Sequence, residues 1–280
     1  MAGINTTGVP SVNEYLIGRG SMQWAEMDST GLPVGYRDIG NVSELTITSS
    51  VETYEHFSSR AGLKVRDLRT ILQQDLTLKF SVENINFQNL AAFSSGTASV
   101  YTNPAIAGFA DKVIVKAGDL EVNSYYMIHS AGAPVFGITS TNAIAVKTTN
   151  ATPATLVKDT DYTVDAVSGM IFVKSTATTL ASVAAGEGLA VTLTADATAT
   201  TVDKIAALTE TDITVAVRFI GVNAETGKKV IYDFHKVTLT PDGDFSLISD
   251  EAAKLPFTGA AEASDAYANT ADYYYPVTQA

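Results

Sequence analysis

Three histidines, His56, His129 and His235, are the chain's only imidazoles, and it has no cysteine. No two of them stand in H-E-x-x-H, H-x-x-x-H or another ligand spacing, so they read as ordinary surface or packed histidines. Without cysteine there is no disulfide framework, thiolate zinc site or cysteine nucleophile, which fits folding in a reducing cytoplasm. Asp159-Thr-Asp161 with Asp165 has the look of a calcium loop. An EF-hand loop, however, needs glycine at its sixth position and glutamate at its twelfth, and Val164 and Met170 stand there. No G-x-S-x-G elbow or phosphate-binding loop occurs, and Gly18-Arg-Gly20 reads as a turn or bulge. Asp242-Gly-Asp244 reads as a tight turn. Asp250 and Glu251 are scattered carboxylates with no partner set for acid–base work. The expectation is a protein that is not an enzyme, with no cofactor and no metal.

The elements that would position any site are mostly strands. In Leu72 to Phe80, Leu76, Leu78 and Phe80 alternate with Asp75, Thr77 and Lys79. In Asp212 to Phe219, Ile213, Val215, Val217 and Phe219 alternate with Asp212, Thr214 and Arg218. Such period-2 patterns belong to antiparallel strands with one packed and one solvated face. Lys228–Thr240 is longer and mixed, which predicts a bulge or bend. One helix is expected from about Asn86 to Ser95, capped by Asn86 and closed by Gly96, and a short helical turn at Asp250–Lys254, stopped by Pro256. Short β-branched runs at 113–115, 125–128, 155–157, 162–164, 170–173 and 189–193 predict a small separate β unit, with a hairpin connection at Asp165–Gly169. The fold class expected is mainly β: an antiparallel sandwich or barrel core with one packed helix and a small inserted β domain. The core takes residues 1–100 and 202–260, the insert 101–201, and an acidic, tyrosine-rich arm 261–280.

Charge limits the partners. The 280 residues carry 30 acids against 18 bases, net −12. Phosphate neutralisation needs clustered Lys and Arg, so a DNA-gripping protein is excluded, and anionic membranes are disfavoured. A mean hydropathy of +0.13 argues against wholesale disorder. The N-terminus reads as lacking a secretory leader, and no apolar run approaches the ~20 residues of a membrane helix. Residues 206–280 hold five bases and eleven acids, half of the excess charge. Two stretches stand out. Ser49–Arg69 has Glu52 and Glu55 early and Arg60, Lys64, Arg66 and Arg69 late, a polarity suited either to a solvated hairpin or to one reaching a complementary neighbour. Asp265–Pro276 clusters tyrosines, a residue favoured at interfaces.

Several blocks, in order, resemble the major tail tube proteins of long-tailed bacteriophages. They are Gly18-Arg-Gly20, Gly35–Ile47, Tyr54–Gly62, the helix region Glu83–Leu90, Arg218–Lys228 and His235–Asp250. The likeness covers roughly 10–100 and 205–260, and the middle zone around Thr160–Gly169 is similar to an insert of some members. The resemblance implies hexameric rings whose sheets join edge to edge into a β-barrel wall. Stacked rings would form a tube that conducts DNA from capsid to host. It implies residence in the virion tail after synthesis in the host cytoplasm. The partners it implies are further copies of the chain and tail tip or baseplate, tape measure and tail terminator proteins. DNA would pass without specific binding, and the family supplies no catalytic residues.

On that reading the Ser49–Arg69 segment bridges rings, with Glu52, Tyr54, Glu55, His56, Arg60, Lys64, Arg66 and Arg69 as contact residues. Asp75, Thr77, Lys79, Asp212, Thr214 and Arg218 are expected to face the lumen. The alternative is a β-sandwich binding or adhesion module for a carbohydrate or cell-surface ligand.

Overall fold

Among the described residues alternation turns into strands almost throughout, and only one short segment becomes a helix. The computed structural model describes residues 18–60, 62–104, 109–139, 144–175, 187–194, 201–225, 227–267 and 269–275. The fold is mainly β, with antiparallel sheets. The chain divides into two units, Met1–Ala98 with Ile205–Ala280, and Ser99–Lys204.

The first unit opens with β1 (Gly18–Glu26), β2 (Arg37–Asp38), β3 (Val42–Ser58), β4 (Val65–Val82) and α1 (Phe87–Phe93). The chain then leaves along β5 (Thr97–Thr102) and returns along β14 (Thr201–Ala206), which pair as a two-stranded ribbon. It ends with β15 (Ile213–Asn223), β16 (Lys229–Pro241), β17 (Leu255–Ala261) and β18 (Ala271–Tyr274). One sheet takes the order β2-β1-β15-β16-β17-β4-β3, and β18 pairs with β16. The Tyr-rich C-terminal segment is therefore partly a strand of the core sheet. Ile231–Phe234 pair with Tyr274–Ala271, just past the point where β17 stops.

The expected irregularity in Lys228–Thr240 is a bulge in β16. Val215 pairs with Val237 but Val217 pairs with Phe234, so two residues, His235 and Lys236, stand opposite Ala216. The extra residue switches the core-facing parity of β16 from Val230, Tyr232 and Phe234 to Val237 and Leu239. The parity of β15 stays at Ile213, Val215, Val217 and Phe219 throughout. Without the bulge one half of β16 would turn its apolar side chains outward. The core under this face is Trp24, Leu78, Phe80, Val217, Phe234, Phe257 and their neighbours. Trp24 meets Phe257 edge-on at 5.8 Å, and Phe80 stacks on Phe257 at 5.4 Å.

The helix is shorter than expected. Asn86 caps it by accepting the Asn89 N–H at 2.8 Å. The left-handed closing residue is Ser95 (φ 47°), not Gly96, and the Gly96 N–H bonds to the Ala91 carbonyl at 2.9 Å. Glycine is needed at 96 for another reason: a Cβ there would stand 2.4 Å from the Ala206 carbonyl oxygen. The expected helical turn at Asp250–Lys254 does not form. These residues lead into β17, where Leu255 and Phe257 alternate into the core and Pro256 sits within the strand.

The second unit is built from β6 (Lys112–Val115), β7 (Ser124–Met127), β8 (His129–Ser130), β9 (Ala133–Pro134), β10 (Ile144–Thr148), β11 (Tyr162–Asp165), β12 (Met170–Val173) and β13 (Leu189–Leu193). Sheets β10-β13-β6 and β11-β12-β7, with the β8-β9 hairpin, enclose their own core around Ile128, Tyr162, Ile171 and Val191. The Asp165–Gly169 connection closes β11 onto β12. The Asp165 carboxylate accepts the Val167 N–H, and Gly169 adopts φ 66°. Residues 155–157 make one bridge, Thr155 to Lys147, rather than a strand. Strand β10 has no counterpart in the sequence expectation.

Candidate functional site

Directly paired residues in a sheet point to the same side, so the register decides which scattered residues share a face. Thr214 pairs with Thr238, Thr238 with Ala260, Ala260 with Thr77 and Thr77 with Thr48. One row across five strands thus carries four threonines and an alanine. The next row is Thr240, Thr258, Lys79 and Thr46. Asp212 lies two residues before Thr214, Asp75 pairs with Ser50, and Arg218 pairs with Asp233. Five of the six expected lumen residues, Asp75, Thr77, Lys79, Thr214 and Arg218, therefore share one face, opposite the core; Asp212 precedes β15, has no pairing partner to fix its side, and lines the groove beside α1. Thr46, Thr48, Ser50, Thr238, Thr240 and Thr258 join them without having been singled out from the sequence. The Leu-Thr-Ile-Thr and Val-Thr-Leu-Thr alternations at 45–48 and 237–240 were the available signal.

The lysines beside the threonine rows are engaged, whereas Arg19 and Lys229, brought to the Arg218 side by their pairing with Val222, are exposed and make no ion pair among the described residues. The Lys79 ammonium lies 3.1 Å from Asp242, and Lys236 lies 2.7 Å from Glu262. Thr258 donates to Asp242 and Thr238 to Glu262, and these contacts with the lysines hold both carboxyls below their ordinary range. The Arg218 guanidinium grips Asp233 through two bonds of 2.6 and 2.7 Å and lies 5.1 Å from the Tyr36 ring centroid. Arg218 thus lies on the expected face, but its charge is held by Asp233 and covered by Tyr36. Asp75 accepts from Gln73, and Asp212 has no basic partner among the described residues. Around the threonine rows the surface is rich in hydroxyls and its lysines are neutralised by neighbours. Exposed pairs of this kind add little stability. Their consequence is electrostatic: the threonine rows offer no free base to a phosphate, and the free bases Arg19 and Lys229 stand at the other end of β15, by its turn into β16.

The Ser49–Arg69 segment is the outer part of the β3–β4 hairpin. Beyond Leu76 strand β4 has no partner but β3 among the described residues, so residues 49–58 and 65–75 form a two-stranded ribbon roughly 30 Å long. Glu55 sits 2.6 Å from Arg66 and 3.7 Å from Arg69, and His56 sits 2.6 Å from Asp67. Glu52 pairs in register with Gln73, and Tyr54, opposite Thr70, is exposed. The early acids and late bases of the sequence therefore partly neutralise each other across the ribbon. Arg60 and Lys64, at the tip, make no ion pair among the described residues.

The remaining histidines have structural partners. His235 is buried in the bulge, stacked on Tyr267 at 3.9 Å and 3.1 Å from Asp272, which ties β18 to β16. His129 Nε2 lies 3.2 Å from the Ile114 carbonyl. Asp161, from the rejected calcium loop, is fully buried and accepts the Val157 N–H. Among the described residues no three metal-ligating side chains gather, and no helix is long and apolar enough to cross a membrane.

A groove of about 630 Å³ opens between α1 and the ends of β1 and β15. Nothing in the sequence marked it. Its inner wall has Trp24, Ala92 and Val215, and Glu26, Glu210 and Asp212 stand exposed at its edge. Arg37 lies 4.5 Å from the Trp24 ring centroid and donates to the Asn89 side chain at 2.7 Å. Asn89 is fully buried and donates to the Ile39 and Asn84 carbonyls, which fixes that wall to α1.

No curated protein matches the chain. The model of one family, described as a protein of unknown function, UCP028589, matches residues 15–274, and the chain belongs to that family.

Proposed function

We propose that this chain is the structural subunit of a phage tail tube, assembling into stacked rings, six-membered by the family resemblance, that conduct DNA from capsid to host. The observation that carries the reading is the polar sheet face. Its threonine rows give a wetted wall, and the lysines beside those rows are paired with carboxylates, so little counterion release is offered there to hold DNA. Open edges support the same reading. Among the described residues strand β3, 17 residues long, has a neighbour on one side only, and β2 covers β1 only at Gln23 and Trp24. Long unpaired edges are an aggregation hazard that closure into a ring removes. On this reading the tape measure, tail terminator and tip or baseplate proteins are its partners, and the virion tail is its location.

Negative-stain microscopy of the purified protein tests the proposal. Rings or tubes on the order of 100 Å wide are expected, the scale of a barrel closed from many strands. A persistent monomer would sink it. One observation favours a binding module instead: Tyr125, paired with Phe172 at 4.6 Å between ring centroids, is 67% exposed on the second unit. Specific glycan affinity of a monomer, lost on Tyr125→Ala, would select that reading.

A further inference from the structure

Two features of the first unit complement one another but lie at opposite ends of its strands. The register sets Glu26 of β1 opposite Val215 of β15, level with Val237, Ala261 and Leu76. From that level the β3–β4 ribbon runs one way, toward the turn that joins β15 to β16. Asp212 and the open end of the groove lie the other way. The tip and the groove therefore point along the strand axis in opposite directions, and the tip cannot fill its own groove by a local movement.

Their chemistry matches. The tip presents Leu63, 81% exposed, beside exposed Val65 and Phe57, with Arg60 and Lys64 as cations without an ion pair among the described residues. The groove presents an apolar wall at Trp24, Ala92 and Val215, and its edge acids Glu26 and Asp212 have no ion-pair partner among those residues either. Its one base, Arg37, is held against Trp24 and Asn89 and faces inward. Apolar surface would meet apolar surface while two free cations meet free carboxylates, the arrangement that gives an interface both affinity and register.

We propose that the groove between α1 and the β1 and β15 ends is the socket for the β3–β4 hairpin tip of a second copy of this chain. The contact is heterologous, head to tail along the strand axis, so it propagates rather than closing on a pair. It rests on the tube reading for its biological setting and names what the hairpin would meet when rings stack.

Charge reversal in three variants tests it. Arg60→Glu with Lys64→Glu alters the tip, Glu26→Lys with Asp212→Lys alters the groove, and the third variant carries all four changes. Sedimentation reads assembly and thermal melting reads the fold. Each double variant is expected to lose at least ~90% of the sedimenting material formed by the parent chain, and the fourfold variant to regain most of it. A groove variant that assembles like the parent, or a fourfold variant no better than the doubles, overturns the contact. A cysteine pair decides if a charge variant melts abnormally, because the chain has no thiol background. Leu63→Cys at the tip with Gln88→Cys on the α1 side of the groove, oxidised, should give a reducible ladder of oligomers. Particles without a ladder overturn the contact alone. A ladder without rings keeps the contact and removes the tube. A parent chain that stays monomeric and gives no ladder removes both.

Discussion

If the polar face lets DNA pass because its lysines are internally neutralised, removing the neutralising carboxylates should make it hold DNA. The perturbation is Asp242→Asn with Glu262→Gln, which keeps shape and hydrogen-bonding capacity but leaves Lys79 and Lys236 as free cations. In the parent these ammonium groups lie 3.1 and 2.7 Å from the two carboxylates. Each lysine that then neutralises a DNA phosphate contributes about −0.9 to the slope of log K against log salt. Two per chain give a slope of about −1.8, so raising salt from ~50 to ~200 mM should weaken binding roughly tenfold. Fluorescence anisotropy with a labelled duplex reads this directly, on a single chain or an assembly. The parent's slope should be shallower than the variant's by that amount, and adding Lys79→Gln and Lys236→Gln should return the variant to the parent's slope. A parent that already binds with a steep slope, or a variant whose slope equals the parent's, would refute the reasoning.

Trp24→Ala should destabilise the first unit by about 3–5 kcal/mol, the cost of a large aromatic cavity, read as a lowered urea midpoint; Trp24 is 3% exposed among Phe80 and Phe257. Asn86→Ala should cost about 1 kcal/mol through the lost helix cap, and Asn86→Ser should recover most of it in the same titration. Acid should destabilise the fold, because Asp28, Glu83, Asp242 and Glu262 are held below their ordinary values of 3.8 for Asp and 4.5 for Glu. Their contribution is complete above those values and is lost as pH falls through the lower folded-state ones, so the melting temperature should hold from pH 7 to 5 and fall below about 4.5. Glu83, bound by Asn41 and 3.2 Å from Lys254, is the group to vary: Glu83→Gln should flatten that fall. Truncation after Thr270 removes β18, exposing Phe234 and the β16 edge, and should lower the melting temperature and promote aggregation seen by light scattering.

Alternation in the sequence was enough to determine the strand character of Leu76–Phe80 and Ile213–Phe219 and which of their side chains face the core. There the local period and the burial pattern are the same physical fact. The Asn86 cap was equally legible, because a cap is made within three residues. The net acidity, with no cluster of free bases, could be read as a bar to gripping DNA. Other features needed the tertiary structure. Asp250–Lys254 looks helical locally, yet Leu255 and Phe257 are drawn into the core on either side of Pro256, and the burial of two large side chains outweighs a short run of helix formers. The extra residue in β16 shows in sequence only as a muddled pattern, and its purpose, keeping Phe234 and Val237 on one side, exists only against β15. Thr48, Thr77, Thr214 and Thr238 are scattered along the chain and become one row solely through pairing register. The same holds for Lys79 with Asp242 and Lys236 with Glu262, whose mutual neutralisation removes two free cations from the surface beside the threonine rows. Composition could total the charge, but long-range strand pairing alone decided which face carries it and which partner cancels it.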